Sequence, residues 1–188
     1  AETVGLPTYT HIGDFQVTPK RVTTPDAFDL ADANDVITHI YHKNLGSILD
    51  DDGKVIPQVI AAKQRGVLFD ISFGSFNFAW DVAERALLQD ITPDFISSDL
   101  QQFNTLGPTY SLTHVMSCFL PLGFTLEEII SKVTIAPARA LCIEDKAGSL
   151  KVGMPADITV LNIEEGEFEF DDCFEGTRKS DKRIVPIM

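Results

Sequence analysis

The sequence predicts an α/β fold of the barrel type, in which parallel strands alternate with helices, with a small separate β region behind it. Three observations carry this expectation. Strand-like apolar runs alternate with helix-period runs as far as residue 146, which is the pattern of consecutive βα units. His11, His39 and Asp99 stand at the ends of three of those strand-like runs. In a βα repeat all strands end on one face, so side chains at strand ends gather there. From Gly148 onward the texture changes to a turn followed by alternating acidic and aromatic residues, a strand signal.

The elements follow in order. Pro7 to Gly13 reads as the first strand, closed by His11, with a loop ending near Thr24. A short helix is predicted from Pro25 to Ala33, with Thr24 as N-cap and Pro25 at its first position. Asp35 to Tyr41 is the second strand and carries His39. The Gly/Asp-rich stretch 44–53 leads to a helix from Pro57 to Gln64, which Gly66 terminates. Val67 to Ser72 is an apolar run of the kind buried on both faces of a parallel sheet. Ala79 to Gln89 is amphipathic: Val82, Ala83, Ala86 and Leu87 share one side, opposite Asp81, Glu84 and Arg85.

The fourth strand is predicted at Asp94 to Ser98, ahead of Asp99 and a long loop through Gly107-Pro108. Helices are predicted at Leu112–Leu120 and Leu126–Val133. Thr125 caps the second, and Glu127 and Glu128 complement the dipole in its first turn. A shorter helix follows Pro137. Gly148 to Leu161 reads as a turn feeding a strand, and Glu164 to Phe170 as a half-exposed strand. Two regions result, 1–146 and 147–188.

Composition excludes several classes of function. A chain of 188 residues can bury a substantial core. The net charge is −13 and Lys and Arg form no dense stripe, so neither nucleic acid nor an anionic membrane surface is an expected partner. Cys118, Cys142 and Cys173 are far apart, with no Cys-x-x-Cys pair. This argues against a disulfide framework or zinc knuckle and fits a reducing, cytoplasmic location. Cys118 and Cys142 lie in apolar helical patterns and read as core residues. No apolar run reaches the ~20 residues of a membrane-spanning helix, and no signal-peptide pattern opens the chain.

Two imidazoles and a carboxylate at neighbouring strand ends are the donor set for a divalent ion such as zinc, although a lone buried His is also an ordinary core residue. His42, beside Lys43, reads as a solvated or loop-packing residue or as a substrate contact, and His114 as a structural helix residue. Phe69, Phe73, Phe76, Phe78 and Trp80 fill strand ends or line an acyl pocket. Asp50-Asp51-Asp52-Gly53 lacks the spaced ligands and closing Glu of a calcium loop and is predicted to be a turn. Gly107-Pro108-Thr109-Tyr110 is either a tight turn or a substrate border.

Taken together, several stretches resemble the amidohydrolase superfamily, in particular its dihydroorotase-like and deacetylase metallohydrolases. They are His11-Ile12-Gly13, Thr38-His39, Gly46-Ser47-Ile48-Leu49-Asp50 with Asp52-Gly53, Arg65 to Asp70, Val82-Ala83-Glu84 and Ile96 to Asp99. Gly107 to Tyr110, Val115-Met116-Ser117, Thr134 with Ala136-Pro137-Ala138, and Gly148-Ser149-Leu150 with Gly153 and Ala156-Asp157 continue the match.

The resemblance implies a (β/α)8 TIM-type barrel flanked by a small β-sandwich. Residues 1–146 would supply strands five to eight and residues 147–188 part of the sandwich. It implies that His11 and His39 are the metal ligands of strands five and six, and that Asp99 is the strand-eight carboxylate, both ligand and catalytic general base. A zinc or other divalent cofactor is implied with them. His42, Phe73, Gln101, Gly107 and Tyr110 are the implied substrate contacts.

The family's strand-one His-x-His pair and strand-four lysine find no counterpart, nor does the last sandwich strand, so a truncated form is expected. Phe73 and Gln101 stand where the family commonly has histidines. The function implied is metal-dependent hydrolysis, of deacetylase type, of a small N-acyl or O-acyl acid. The alternatives are a cyclic amidase of dihydroorotase type and a catalytically incompetent fragment. Exposed barrel edges would then favour a homo-oligomer.

Overall fold

The computed structural model describes residues 5–13 and 22–187; the loop expected after the first strand, at 14–21, lies outside them. Three short strands, β1 (Tyr9–His11), β2 (Val36–Thr38) and β3 (Leu68–Asp70), pair in parallel and in sequential order. Parallel neighbours require crossover connections, here α1 (Thr24–Leu30) between β1 and β2 and α2 (Pro57–Arg65) between β2 and β3. The register sets His11 opposite Thr38 and Thr38 opposite Asp70. β2 is buried throughout, whereas Tyr9 and His11 of β1 are exposed.

The strands are shorter than the apolar runs predict, for a local reason. His39 at the end of β2 and Ser72 beyond β3 take left-handed backbone conformations (φ 69° and 42°), which leave the sheet. The fourth strand is reduced to a single parallel bridge between Asp70 and Phe95. Asp94 is the cause: its carboxylate accepts the Phe69 N–H at 2.7 Å, replacing a ladder bond. The segment still follows β3 outward, because Phe73 and Gly74 donate to the Ser97 and Ser98 carbonyls at 3.1 and 3.0 Å.

The helix ends follow capping chemistry. The N-cap of α1 is Thr23 rather than Thr24. Only from position 23 does Asp26 fall third in the helix, where its carboxylate receives the Thr23 N–H at 3.0 Å and closes a capping box. The helix stops at Leu30, short of Ala33, and Arg65 donates to the Phe28 carbonyl in its last turn and to the Ala31 carbonyl just past its end. α2 ends at Gly66 as expected.

α3 (Trp80–Leu87), α4 (Leu112–Cys118), α5 (Leu126–Val133) and α6 (Ile135–Ala140) follow. Thr125 and Glu128 box the start of α5. α6 begins ahead of Pro137, because a first-turn proline lacks only an N–H that has no partner within the helix.

The tail forms one antiparallel hairpin, β4 (Leu161–Asp171) and β5 (Thr177–Pro186), with an irregularity between Glu165 and Phe168. The strand expected before Leu161 does not form. Ile158 and Val160 are exposed, and among the described residues Ile187 donates to Val160 without extending into a ladder. β5 was not anticipated from the sequence. The Asp172 carboxylate holds the hairpin turn through the Phe174 and Gly176 N–H groups, both at 2.7 Å, and reaches the Trp80 N–H at 2.9 Å. Trp80, Phe170 and Ile184 join Phe28, Ile37 and Phe69 in one buried cluster. Cys118 is buried as expected, but Cys142 is exposed: it follows the end of α6 with φ 54° and so leaves the apolar face.

Candidate active site

The exits of β1, β2 and the fourth segment form the candidate site. His39 is almost fully buried, and its ring meets that of His11 edge to face, with centroids 4.4 Å apart. Its Nδ1 lies 2.7 Å from the Ser72 carbonyl oxygen. A carbonyl only accepts, so the proton sits on Nδ1 and the lone pair is left on Nε2. Burial holds the imidazole below its ordinary pKa, and neighbouring His11 adds to the effect, while the Ser72 carbonyl and Asp99 oppose it. The neutral ring is the form that ligates metals.

Asp99 is half-buried and also left-handed (φ 47°). His39, Ser72 and Asp99 thus place three non-glycine residues in a sparsely populated conformation at successive strand exits, a pattern that concentrates at functional sites. Asp99 lies over Gly74, where an added Cβ would stand 2.6 Å from Oδ2; only glycine leaves room for that carboxylate. Gln101 Nε2 donates to Asp99 Oδ1 at 3.1 Å, and Asn104 Nδ2 to the Asp99 carbonyl at 2.9 Å. Thr109 Oγ1 donates to the Gly74 carbonyl at 2.6 Å, so the loop carrying Gly107 and Tyr110 leans on the same spot. Tyr110 is half-exposed, and its hydroxyl packs beside Gly107.

The remaining expected residues diverge. Phe73 is fully buried and stacked on Phe78, with centroids 4.6 Å apart. It is a core residue there, because the left-handed turn at Ser72 aims the next side chain inward. Phe69, Phe78 and Trp80 are likewise buried, whereas Phe76 is exposed. His42 is not solvated: it is fully buried against Gly13, whose Cα leaves 2.9 Å between an imagined Cβ and the ring. Neither His42 nitrogen has a hydrogen bond of good geometry. His114 packs between Tyr110 and Phe170 and is structural. Asp50 forms the predicted turn, accepting the Asp52 and Lys54 N–H groups at 3.0 and 2.8 Å.

Sequence reasoning missed one group beneath the site. The buried Asp70 carboxylate accepts the hydroxyls of Tyr9 and Thr38, both at 2.6 Å, and that of Ser97 at 2.8 Å. The available signal was a hydroxyl residue one or two places before each of His11, His39 and Asp99.

The donor chemistry fits part of a divalent metal site. The His11 and His39 rings are in contact, and His39 carries its lone pair on Nε2. Among the described residues, however, no three His, Cys, Asp or Glu side chains gather closely enough to hold an ion. No helix among the described residues is long and apolar enough to cross a membrane.

Known proteins are similar to this chain in sequence and fold. A model of the amidohydrolase family matches residues 87–182. A deacetylase of Enterococcus faecalis is 33% identical over 184 residues, covering 97% of this chain and 48% of that protein. The crystal structure of an adenine deaminase superposes with a TM-score of 0.91 at 32% identity, over 99% of this chain and 50% of that one. The crystal structure of a dihydroorotase gives 0.84 at 26% identity, over 99% and 47%. The chain spans about half the length of the curated relatives it matches, and its fold is consistent with a partial barrel.

Proposed function

Because this chain belongs to the amidohydrolase family, we propose that it supplies strands five to eight of a metal-dependent hydrolase of deacetylase type, together with part of a flanking β-sandwich. The observation that carries the reading is the contact between His11 and a neutral, Nδ1-protonated His39 at adjacent strand ends, with Asp99 at the fourth exit. In this reading His11 and His39 hold a divalent ion such as zinc. The metal, when bound, lowers the pKa of water toward 7 and polarises a carbonyl.

Asp99 takes a proton from water and returns it to the departing amine or alcohol, so one carboxylate serves both halves of the hydrolysis. Gln101 holds Asp99 Oδ1 in place. Gly107 and Tyr110 border the substrate from a loop tied to Asp99 and Gly74. The substrate class is a small N-acyl or O-acyl acid, which agrees with the deacetylase name of the relative from Enterococcus faecalis.

The complementary half of that relative, joined ahead of this chain in one polypeptide, is the material for the test. With zinc present it is expected to release acetate from N-acetyl amino acids, and Asp99→Asn to lower the rate at least ~100-fold, the lower range for a proton-transferring group. Turnover of dihydroorotate without acetate release would move the assignment to the cyclic amidases. Acetate release unaffected by Asp99→Asn would remove Asp99 from the chemistry.

A further inference from the structure

We propose that Asp70 is a positioning residue that sets where His39 and Asp99 stand at the strand exits; this rests on the reading that those two side chains belong to the reactive site. Asp70 is fully buried. Its Oδ2 accepts Tyr9 Oη, Thr38 Oγ1 and Ser97 Oγ at 2.6, 2.6 and 2.8 Å, and its Oδ1 accepts Ser97 Oγ again at 2.9 Å. The three donors come from β1, β2 and the fourth segment, and Asp70 itself ends β3, so one carboxylate ties all four.

Each donor lies directly upstream of a site residue. Thr38 precedes His39 by one position, while Tyr9 and Ser97 precede His11 and Asp99 by two. A buried charge is costly unless fully hydrogen-bonded, and hydroxyl–carboxylate bonds of this kind are short and strongly directional. An apolar residue would fill the same space with no demand on strand placement. The carboxylate instead requires three hydroxyls to converge, which fixes how far β2 and the fourth segment advance before they turn out into left-handed His39 and Asp99. The exit of β3 adds two more constraints, because the Asp70 carbonyl accepts the Ile40 N–H at 3.3 Å and the Ser72 carbonyl accepts His39 Nδ1 at 2.7 Å. Groups hydrogen-bonded to metal ligands tune affinity by ~10–100-fold through the ligand's tautomer, orientation and basicity, and Asp70 acts one step behind them through Thr38 and Ser97.

The test uses the full chain with Asp70→Asn, Thr38→Val and Ser97→Ala, and two readouts. Ring-nitrogen NMR of the metal-free chain reports the His39 tautomer, and a Co2+ titration reports affinity and the visible spectrum. Asp70→Asn is expected to mix the His39 tautomers, weaken Co2+ about 10-fold and change the spectrum. Thr38→Val should move the His39 ring signals, and Ser97→Ala should leave them in place while weakening Co2+.

Variants that lose thermal stability yet keep the wild-type His39 signature and Co2+ affinity would overturn the proposal and leave Asp70 a purely structural clamp. If Asp70→Asn does not fold, the contrast between Thr38→Val and Ser97→Ala decides by the same criteria. If the wild-type chain binds no Co2+, the metal reading fails, while the tautomer readout still decides the role of Asp70.

Discussion

Replacing Trp80 by alanine is expected to destabilise the chain by about 3–5 kcal/mol, the range for truncating a buried aromatic. Total stabilities of single domains are only about 5–15 kcal/mol, so this is a large fraction. Trp80 opens α3 with its ring 1% exposed and touches both parts of the molecule. The ring stands edge to face on Phe78, centroids 5.0 Å apart. Its Nε1–H donates to the Phe170 carbonyl of β4 at 3.1 Å, and its backbone N–H to the Asp172 carboxylate at the hairpin turn.

Removing the indole opens a cavity and leaves the Phe170 carbonyl without that donor, which adds about 1 kcal/mol. The ties between hairpin and helices that would remain include the Trp80 backbone bond to Asp172, the paired contacts of Arg178 with Glu84, the His114 ring against Phe170, and the bond from the Ile184 N–H to Ser117 Oγ at 2.9 Å. Amides of β4 and β5 should therefore exchange with solvent well before those of β2. A melting temperature within a few degrees of wild type, with unchanged hairpin exchange, would contradict the role assigned to Trp80.

Acid lability is the second large effect. His42 is fully buried, and its pKa is lowered from 6.5 to about 4, first by burial and then by the neighbouring charges of His39 and His11. The folded value lies below the unfolded one, so the unfolded chain binds the proton more tightly. The stability linked to this group is complete above about pH 6.5 and is lost as pH falls toward 4. At pH 5 the loss amounts to about 2 kcal/mol, at 1.36 kcal/mol per pKa unit. Burial lowers the His39 and His114 values in the same direction. His42→Leu fills the space without a titrating ring, so its urea midpoint should fall less between pH 7.5 and pH 5 than that of the wild type. Equal falls in the two proteins would show that the His42 ring is protonated as readily in the folded chain as in the unfolded one.

The legibility of the fold from sequence divides by range. α5 is read to the residue because its cap, its first-turn acids and its apolar face all lie within 125–133. α2 is read to within one residue, since Pro57 and Gly66 punctuate it, and it runs to Arg65 where Gln64 was expected to end it. The cap of α1 was displaced by one residue because two threonines stand side by side, and only the distance to Asp26 chooses between them. The strand runs were legible, but not their early ends, since β-forming residues give no notice of a left-handed exit at His39. β5 was hidden by its charges: Arg178, Lys179, Asp181, Lys182 and Arg183 suit an exposed hairpin face, and the bond from Ile184 to Ser117 shows only in three dimensions.

The site divides in the same way. His11, His39 and Asp99 were legible as strand-end ligand types, and the structure brings His11 and His39 into ring contact. The burial of His42 was not legible, because it depends on the space left at Gly13 from another strand. The Asp70 cluster joins residues 61, 32 and 27 positions away. No local periodicity reports such a convergence.

Anomalous diffraction at the zinc edge from crystals of this chain grown with Zn2+ tests the central claim most directly. The account predicts a peak about 2.0–2.1 Å from His39 Nε2, the usual Zn–N distance, shared with the His11 imidazole and lost in His39→Ala. Well-ordered crystals with no peak there, and the two rings still edge to face, would contradict it.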